Sequence, residues 1–208
     1  MGIENFITFL IATLVFVITP GIDTIFVLNK SIGLGKKSGF YGALGVNTGV
    51  LVHTLLAALG LSVLLAKSAV AFAVVKYLGA FYLIYLGFFK LKKKEGIALI
   101  HEYIGPTTTK KDFLSGFVTN LLNPKVALFF LAFFPQFVQK DQIENPVPFL
   151  LLGFTYAIFG IVWAMILIFF ATFFSDKFKK NPKINTRLGK LTGLVFVTMG
   201  IKIALTKS

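Results

Sequence analysis

The stretch Thr19-Pro20-Gly21-Ile22-Asp23-Thr24 places a proline and a carboxylate in one long apolar run, and Asn120-Leu121-Leu122-Asn123-Pro124-Lys125 places a proline and an amine in another. Proline removes a backbone donor and clashes with the preceding turn, so a helix kinks or restarts there. Thr and Asn are favourable N-cap residues, and proline suits the first helical position. Each proline therefore predicts a capped restart, where backbone N–H groups and a positive dipole end attract a carboxylate.

The composition around these breaks is that of an integral membrane protein. Hydrophobic residues make up 56% of the chain and charged residues 14%, whereas a soluble domain carries roughly 25% charged residues. The absence of Cys excludes disulfide frameworks and thiol chemistry. Long apolar runs predict six membrane spans, which cover residues 5–28, 40–66, 69–89, 113–138, 147–174 and 188–205.

The basic residues predict the orientation of these spans. The loops after the first, third and fifth spans carry three, six and six Lys plus Arg, against four on the other side. Because cytoplasmic loops concentrate Lys and Arg, both termini are predicted to lie outside the cytoplasm of a prokaryotic cell, in its cytoplasmic membrane. This anchoring accounts for the net charge of +13 without a nucleic-acid partner.

The arrangement of the breaks predicts the architecture. A loop at residues 93–112 divides one transmembrane domain, residues 1–208, into repeats at 1–92 and 113–208. Three spans per repeat give the two repeats opposite topology, which is the inverted-repeat plan of many secondary transporters. We therefore predict an all-α membrane protein of six helices, with the first helix of each repeat broken.

Asp23 and Lys125 are the charged candidates for a site inside the membrane. Intramembrane charges are expensive unless they are paired or hydrated, so they mark functional sites by default. Asp23 follows Pro20 and Gly21 in the first break, and Lys125 follows Pro124 in the second. We expect the two charges to be partners. The structural alternatives are an Asp near the cytoplasmic interface that acts as a cap, and a buried ion pair that holds the repeats together.

Three further polar side chains lie in the spans. Asn47 lies between Gly45 and Gly49, a spacing that lets helices approach closely, and it either bonds a neighbouring helix or lines a cavity. Asn120 lies one turn before Pro124 and is a candidate to accompany Asn123 in lining the site. His53 is a candidate proton relay or a packing residue. The glycine spacing permits a homodimer without requiring one.

Enzyme signatures are missing from the sequence. It has no H-E-x-x-H motif, no G-x-S-x-G elbow and no clustered acids. The chain therefore predicts no enzyme, no cofactor and no resident metal.

Three segments together resemble the LysE/RhtB family of amino-acid exporters. Residues 19–24 resemble its T-P-G-P-D segment, residues 79–87 (GAFYLIYLG) resemble its G-A-x-Y-L-I-Y-L-G segment, and residues 120–137 (NLLNPKVALFFLAFFPQF) resemble a third. The resemblance covers nearly the whole chain. Ile22 departs from the pattern, since the family usually has a second proline there, and this difference bears on how sharply the first span breaks.

The resemblance implies export of small amino acids or their derivatives from the cytoplasm, energised by the proton gradient. We expect a neutral substrate whose carboxylate binds at Pro124 and Lys125, with Asp23 taking the ammonium group or a coupling proton. The expected site comprises residues of both breaks and two nearby amides: Pro20, Gly21, Asp23, Asn47, Asn120, Asn123, Pro124 and Lys125. The alternatives are a cation or divalent-metal exporter and a non-transporting membrane scaffold.

Overall fold

The computed structural model describes residues 2–61, 69–92, 107–171 and 173, together with nine positions between 190 and 205. Every regular element in this part of the chain is helical. The helices are α1 (Phe6–Ile18), α2 (Ile22–Gly33), α3 (Lys36–Leu56), α4 (Ala69–Lys92), α5 (Thr109–Leu121), α6 (Pro124–Leu128) and α7 (Pro146–Phe169). A π-helical turn, Ala57–Leu61, continues α3, and α6 continues through a π-helical turn, Phe129–Phe133, and a 3-10 turn, Phe134–Phe137.

Two of these helices are long and apolar enough to cross a membrane, and the number rises to four if each bent pair is one span. The single helices are Lys36–Gly60 and Pro146–Phe169. The bent pairs are Phe6–Ile18 with Ile22–Gly33, at 48°, and Thr109–Leu121 with Pro124–Phe137, at 47°. The predicted breaks in the first and fourth spans are therefore confirmed, and the first break persists with isoleucine at position 22.

Helix α4 covers the predicted third span. The predicted sixth span lies only partly within the described residues, where positions 190, 193, 194, 197, 198, 200, 201, 204 and 205 are helical. Most of the predicted loop, residues 93–106, lies outside the described part of the chain. The end of that loop differs from prediction, because α5 begins at Thr109, with the Thr108 hydroxyl accepting a hydrogen bond from Lys111 N.

Contacts between distant parts of the chain mark the two opposite ends of the helix bundle. Ile3 pairs with Val138 in an isolated antiparallel bridge, and Gln139 N donates to Gly2 O at 2.9 Å. At the other end, Lys30 contacts Asp112 at 2.7 Å. The N-terminus therefore lies at the same end as the segment after the second break.

Phenylalanine forms the core at the N-terminal end. The ring centroids of Phe16 and Phe129 lie 4.0 Å apart, and those of Phe130 and Phe134 lie 4.1 Å apart. This cluster joins α1, α7 and the irregular continuation of α6. A second cluster, built around Val27, Ala43 and Leu167, joins α2, α3 and α7. The two clusters leave the polar breaks between them.

Helices α3 and α5 pack with their backbones in close approach. A Cβ atom on Gly45 would overlap the carbonyl of Phe113, and one on Gly116 would overlap the carbonyl of Gly42. Small residues at such contacts allow the backbones of membrane helices to touch. The approach predicted from Gly45 and Gly49 is therefore confirmed, and it is made within the chain.

Candidate functional site

The structure of the first break contradicts the prediction that Thr19 caps the restarted helix. The Thr19 hydroxyl donates to Val15 O at 2.6 Å, so Thr19 ends α1 instead of starting α2. Helix α2 begins at Ile22 with Gly21 as its N-cap residue, and no side chain caps it. The physical reason is that a threonine hydroxyl reaches the carbonyl four residues earlier, a bond that competes with capping.

The second break confirms the prediction. Asn123 is the N-cap of α6, Pro124 is in its first turn, and the Asn123 side chain accepts a hydrogen bond from Lys125 N at 3.0 Å. Val126 N and Ala127 N both donate to Asn123 O at 3.1 Å. These bonds satisfy the first-turn amides, so the restart offers no free backbone donors of the kind expected for a substrate carboxylate.

Lys125 crosses from the second break to the first. Its ammonium donates to Phe16 O at 3.0 Å and to Thr19 O at 3.1 Å, and it lies 4.2 Å from the centroid of the Phe16 ring. The last carbonyls of a helix lack intrahelical donors and form the negative end of its dipole. Lys125 therefore stabilises the end of α1. A Cβ atom on Gly21 would lie 3.3 Å from Lys125 Nζ, so Gly21 leaves room for the ammonium.

Asp23 lies in the first turn of α2 and bonds Asn120, whose Nδ2 donates to Asp23 Oδ2 at 2.8 Å. Among the described residues, Asp23 Oδ1 is buried and has no hydrogen-bond partner. The predicted ion pair between Asp23 and Lys125 is not formed, because each group has other partners in the helix packing. The two charged residues nevertheless line the same cavity.

The candidate polar residues of α3 occupy two different places. Asn47 is 6% exposed and donates from Nδ2 to Ala43 O at 2.9 Å. His53 contacts the backbone carbonyl of Asn120 at 3.3 Å through Nε2. A polar chain therefore leads from His53 through Asn120 to Asp23.

A cavity of about 60 Å³ lies where the two breaks face each other. It is lined by Asp23, Lys125, Gly21, Asn47 and Asn123 among the predicted site residues, and by apolar side chains that include Val17, Val27, Val46, Val50, Val126 and Leu167. Pro20 and Pro124 bend the chain beside it, and Asn120 and His53 lie behind Asp23, outside the lining. One water needs about 10–15 Å³ by this kind of measure, so the cavity has room for a few waters.

Sequence reasoning missed the wall that α7 contributes. Tyr156, Gly160 and Trp163 line the cavity, but in sequence they lie in an uncharged apolar run where aromatic residues are commonly packing or interfacial groups. The spacing of these three positions, near one helical turn, is the signal that places them on one face of a helix.

It also missed the contact between Lys30 and Asp112. Their side chains are 1% and 2% exposed and lie 2.7 Å apart, and Thr107 Oγ1 donates to the same Asp112 oxygen at 2.8 Å. Lys30 is one of the three basic residues of the predicted cytoplasmic loop after the first span. The bend of the first span turns it inward, against the start of α5.

The chain is similar in sequence to known membrane proteins. Residues 14–207 match the family described as LysE type translocator. The chain is 34% identical to the "Uncharacterized membrane protein YrhP" of Bacillus subtilis (strain 168) over 198 residues, which cover 91% of this chain and 93% of that protein. It is 32% identical to the "Leucine efflux protein" of Salmonella choleraesuis (strain SC-B67) over 210 residues, which cover 100% of this chain and 98% of that protein. No solved structure matches. With the match spanning both breaks and nearly the whole sequence, the chain belongs to the LysE type translocator family.

Proposed function

We propose that the protein exports small, neutral amino acids or their derivatives from the cytoplasm by proton antiport. The observation that carries this proposal is one cavity lined by both a carboxylate, Asp23, and an ammonium, Lys125, inside a membrane protein. An amino acid is a zwitterion, so it needs an acceptor for its ammonium group and a cation near its carboxylate. The leucine efflux proteins among the relatives support the same substrate class.

In this proposal, Asp23 takes the substrate ammonium or the coupling proton. Its Oδ1 is buried without a hydrogen-bond partner in the described structure, so an arriving donor would relieve a desolvated acceptor. Lys125 attracts the substrate carboxylate through the positive charge of its ammonium group, which belongs to a lining residue of the cavity. Gly21 and Asn123 shape the cavity between the two groups, and Pro20 and Pro124 hold the bends.

The apolar walls favour a neutral side chain. Valines from α1, α2, α3 and α6 line the cavity, together with Leu167 of α7. A charged side chain against such walls would lose its hydration without gaining a partner. The cavity is too small for an amino acid as it stands, so transport requires the helices around the breaks to separate.

The proposed architecture remains six spans in two inverted repeats, 1–92 and 113–208, joined by residues 93–112, with both termini outside the cytoplasm. The meeting of Ile3 with Val138 supports it, because the chain must cross the membrane an even number of times between them. The two bent spans and α3 give three crossings, and α4 supplies the fourth. Rocking of the repeats around the cavity would then alternate access to its two sides.

Efflux from proteoliposomes tests the proposal. Full-length protein would be reconstituted with labelled leucine, valine, threonine, lysine and glutamate, with and without an imposed pH gradient. We expect saturable efflux of the neutral amino acids, accelerated by the gradient and lost in Asp23→Asn. Asp141→Asn, an exposed carboxylate outside the cavity, is the matched control. Folded protein that moves none of the five would overturn the proposal.

A further inference from the structure

Asn47 lines the cavity and carries a buried hydrogen-bond acceptor. Its Nδ2 donates to Ala43 O, which fixes the orientation of the amide and leaves Oδ1 as the group that faces away from its own helix. In the described structure Oδ1 is buried and has no hydrogen-bond partner. A Cβ atom on Gly160 would lie 2.7 Å from Oδ1, so the oxygen points across to the α7 wall of the cavity.

Asp23 Oδ1 and Asn47 Oδ1 are two buried acceptors on residues that line the same cavity. Neither has a donor among the described residues. Buried acceptors are normally satisfied, so two of them on lining residues of one cavity favour a ligand that donates hydrogen bonds there. A group with several N–H donors and a positive charge satisfies a carboxylate and an amide oxygen together.

We propose that Asn47 is the second ligand of the substrate ammonium group and selects for a primary amine. This inference rests on the proposed function and assigns the part of the substrate that the site recognises. A primary ammonium has three N–H donors and can serve both acceptors. An N,N-dimethyl ammonium has one donor and two added methyl groups, so it leaves one acceptor unsatisfied and crowds Gly160.

Competition against labelled leucine efflux measures this selectivity. The probes are unlabelled L-leucine, N-methyl-L-leucine and N,N-dimethyl-L-leucine. For the unmodified chain we expect inhibition to weaken at least tenfold from leucine to the dimethyl compound. Asn47→Leu should raise KM for leucine about tenfold and reduce the discrimination between the two compounds, while Asn47→Asp, which retains an acceptor, should preserve it.

Thr48→Val is the matched control, because Thr48 makes the same hydrogen bond to a carbonyl four residues earlier but does not line the cavity. Gly160→Ala approaches the same oxygen from the opposite helix and should reproduce the effect of Asn47→Leu, even if that variant fails to fold. Leucine efflux with unchanged KM and discrimination in folded Asn47→Leu or Gly160→Ala would overturn the inference and leave the proposed function standing. Absence of any amino-acid efflux from the unmodified chain would overturn both.

A separate observation concerns the route into the cavity. Two side-chain contacts join helices α2 and α5. Asp23 bonds Asn120 at the cavity, and Lys30 contacts Asp112 at the end of the bundle that carries the basic loop after the first span, here called the basic end. The joined positions are seven residues apart on α2 and eight on α5, or about 10 and 12 Å along the helices. Val27, which lies between them on α2, is 2% exposed and lines the cavity. The helix pair therefore closes this end.

We infer that the Lys30–Asp112 pair is a latch on the cytoplasmic entrance of the cavity. A buried ion pair gains attraction but loses the hydration of both charges. When α2 and α5 separate, water returns to both groups and offsets the lost attraction. Such a pair can hold a closed state without making it irreversible.

A single cysteine at Val27 reports on the latch without requiring transport. The natural chain has no Cys, so a membrane-impermeant maleimide would label Val27→Cys alone. With the reagent on the basic side, we expect Asp112→Asn to raise the labelling rate at least tenfold. Thr107→Val, which removes one hydrogen bond to Asp112, should raise it less. Lys111→Gln, an exposed neighbour, should leave it unchanged.

The exchanged pair, Lys30→Asp with Asp112→Lys, should restore the slow rate. This double variant separates the latch from a general loss of packing, because it keeps one positive and one negative charge in contact. An unchanged labelling rate in folded Asp112→Asn, or a fast rate in the folded exchanged pair, would overturn the latch.

Discussion

The two broken spans bend by almost the same angle, 48° and 47°, yet their breaks satisfy the backbone in different ways. The second break is self-contained, because Asn123 caps the amides of the helix that it starts. The first break is not. Its last carbonyls are bound by Lys125 from the other break, and no side chain caps α2. A proline in each span sets the bend, whereas the neighbouring residues decide which polar groups remain available for binding.

This asymmetry assigns different roles to the breaks. The first contributes the carboxylate Asp23 and an open helix start. The second contributes the cation Lys125, held in place by the first. The first break is therefore incomplete without the second, which links the cavity to the packing of the two repeats.

Among substitutions at the two breaks, removal of the Lys125 ammonium should have the largest effect on stability and on leucine efflux. Lys125→Met would remove the hydrogen bonds that Lys125 Nζ donates to the carbonyls of Phe16 and Thr19. Hydrogen bonds to charged groups contribute about 1.5–3 kcal/mol each, so we expect the loss of two to lower the free energy of unfolding by about 3–6 kcal/mol. Leucine efflux should fall at least 100-fold. Unfolding in detergent and efflux from proteoliposomes are the two measurements.

Lys140→Met serves as its control, since Lys140 is exposed and lies outside both breaks. Equal stability of the Lys125→Met and Lys140→Met variants would contradict the cross-bracing of the two breaks.

Loss of the Asn123 cap should destabilise the protein less than loss of Lys125 does. Replacing a capping Asn by Ala costs about 0.5–2 kcal/mol. We expect Asn123→Ala to accelerate hydrogen exchange at the amides of Lys125, Val126 and Ala127, and Asn123→Ser, which can also cap, to restore most of the protection. Exchange followed by mass spectrometry checks this, and unchanged protection in Asn123→Ala would show that the cap is dispensable.

Thr19→Val should have the smallest effect. The Val15 carbonyl that accepts the Thr19 hydroxyl also accepts Thr19 N, at 3.0 Å, so the substitution leaves it satisfied. We expect less than about 1 kcal/mol of destabilisation and unchanged hydrogen exchange at the start of α2. Faster exchange from Ile22 to Ile25 would mean that Thr19 caps α2 after all.

The sequence predicted the positions of both breaks because proline acts locally, whatever surrounds it. Asn123 was likewise predictable as a cap, since its short amide reaches an amide two residues on. Thr19 failed because a threonine hydroxyl has a competing acceptor in the preceding turn. The choice between these partners depends on where the next helix starts, and Gly21 delays that start.

The composition of the cavity was only partly predictable. Asp23, Asn47 and Lys125 stood out because polar groups are expensive in apolar spans. Their hydrogen-bond partners could not be predicted from the sequence, because the partners depend on the packing of distant elements such as α1 and α6. Gly160 could not be recognised as a cavity residue because it has no polar side chain. The contact of Lys30 with Asp112 could not be predicted because the two residues are 82 positions apart in sequence.

Titration calorimetry of L-leucine with the detergent-solubilised full-length chain measures whether the cavity between the breaks binds an amino acid through Asp23. We predict saturable binding that is retained in Asp141→Asn and weakened at least tenfold in Asp23→Asn. Equal affinity of the unmodified chain and a folded Asp23→Asn variant would contradict the account.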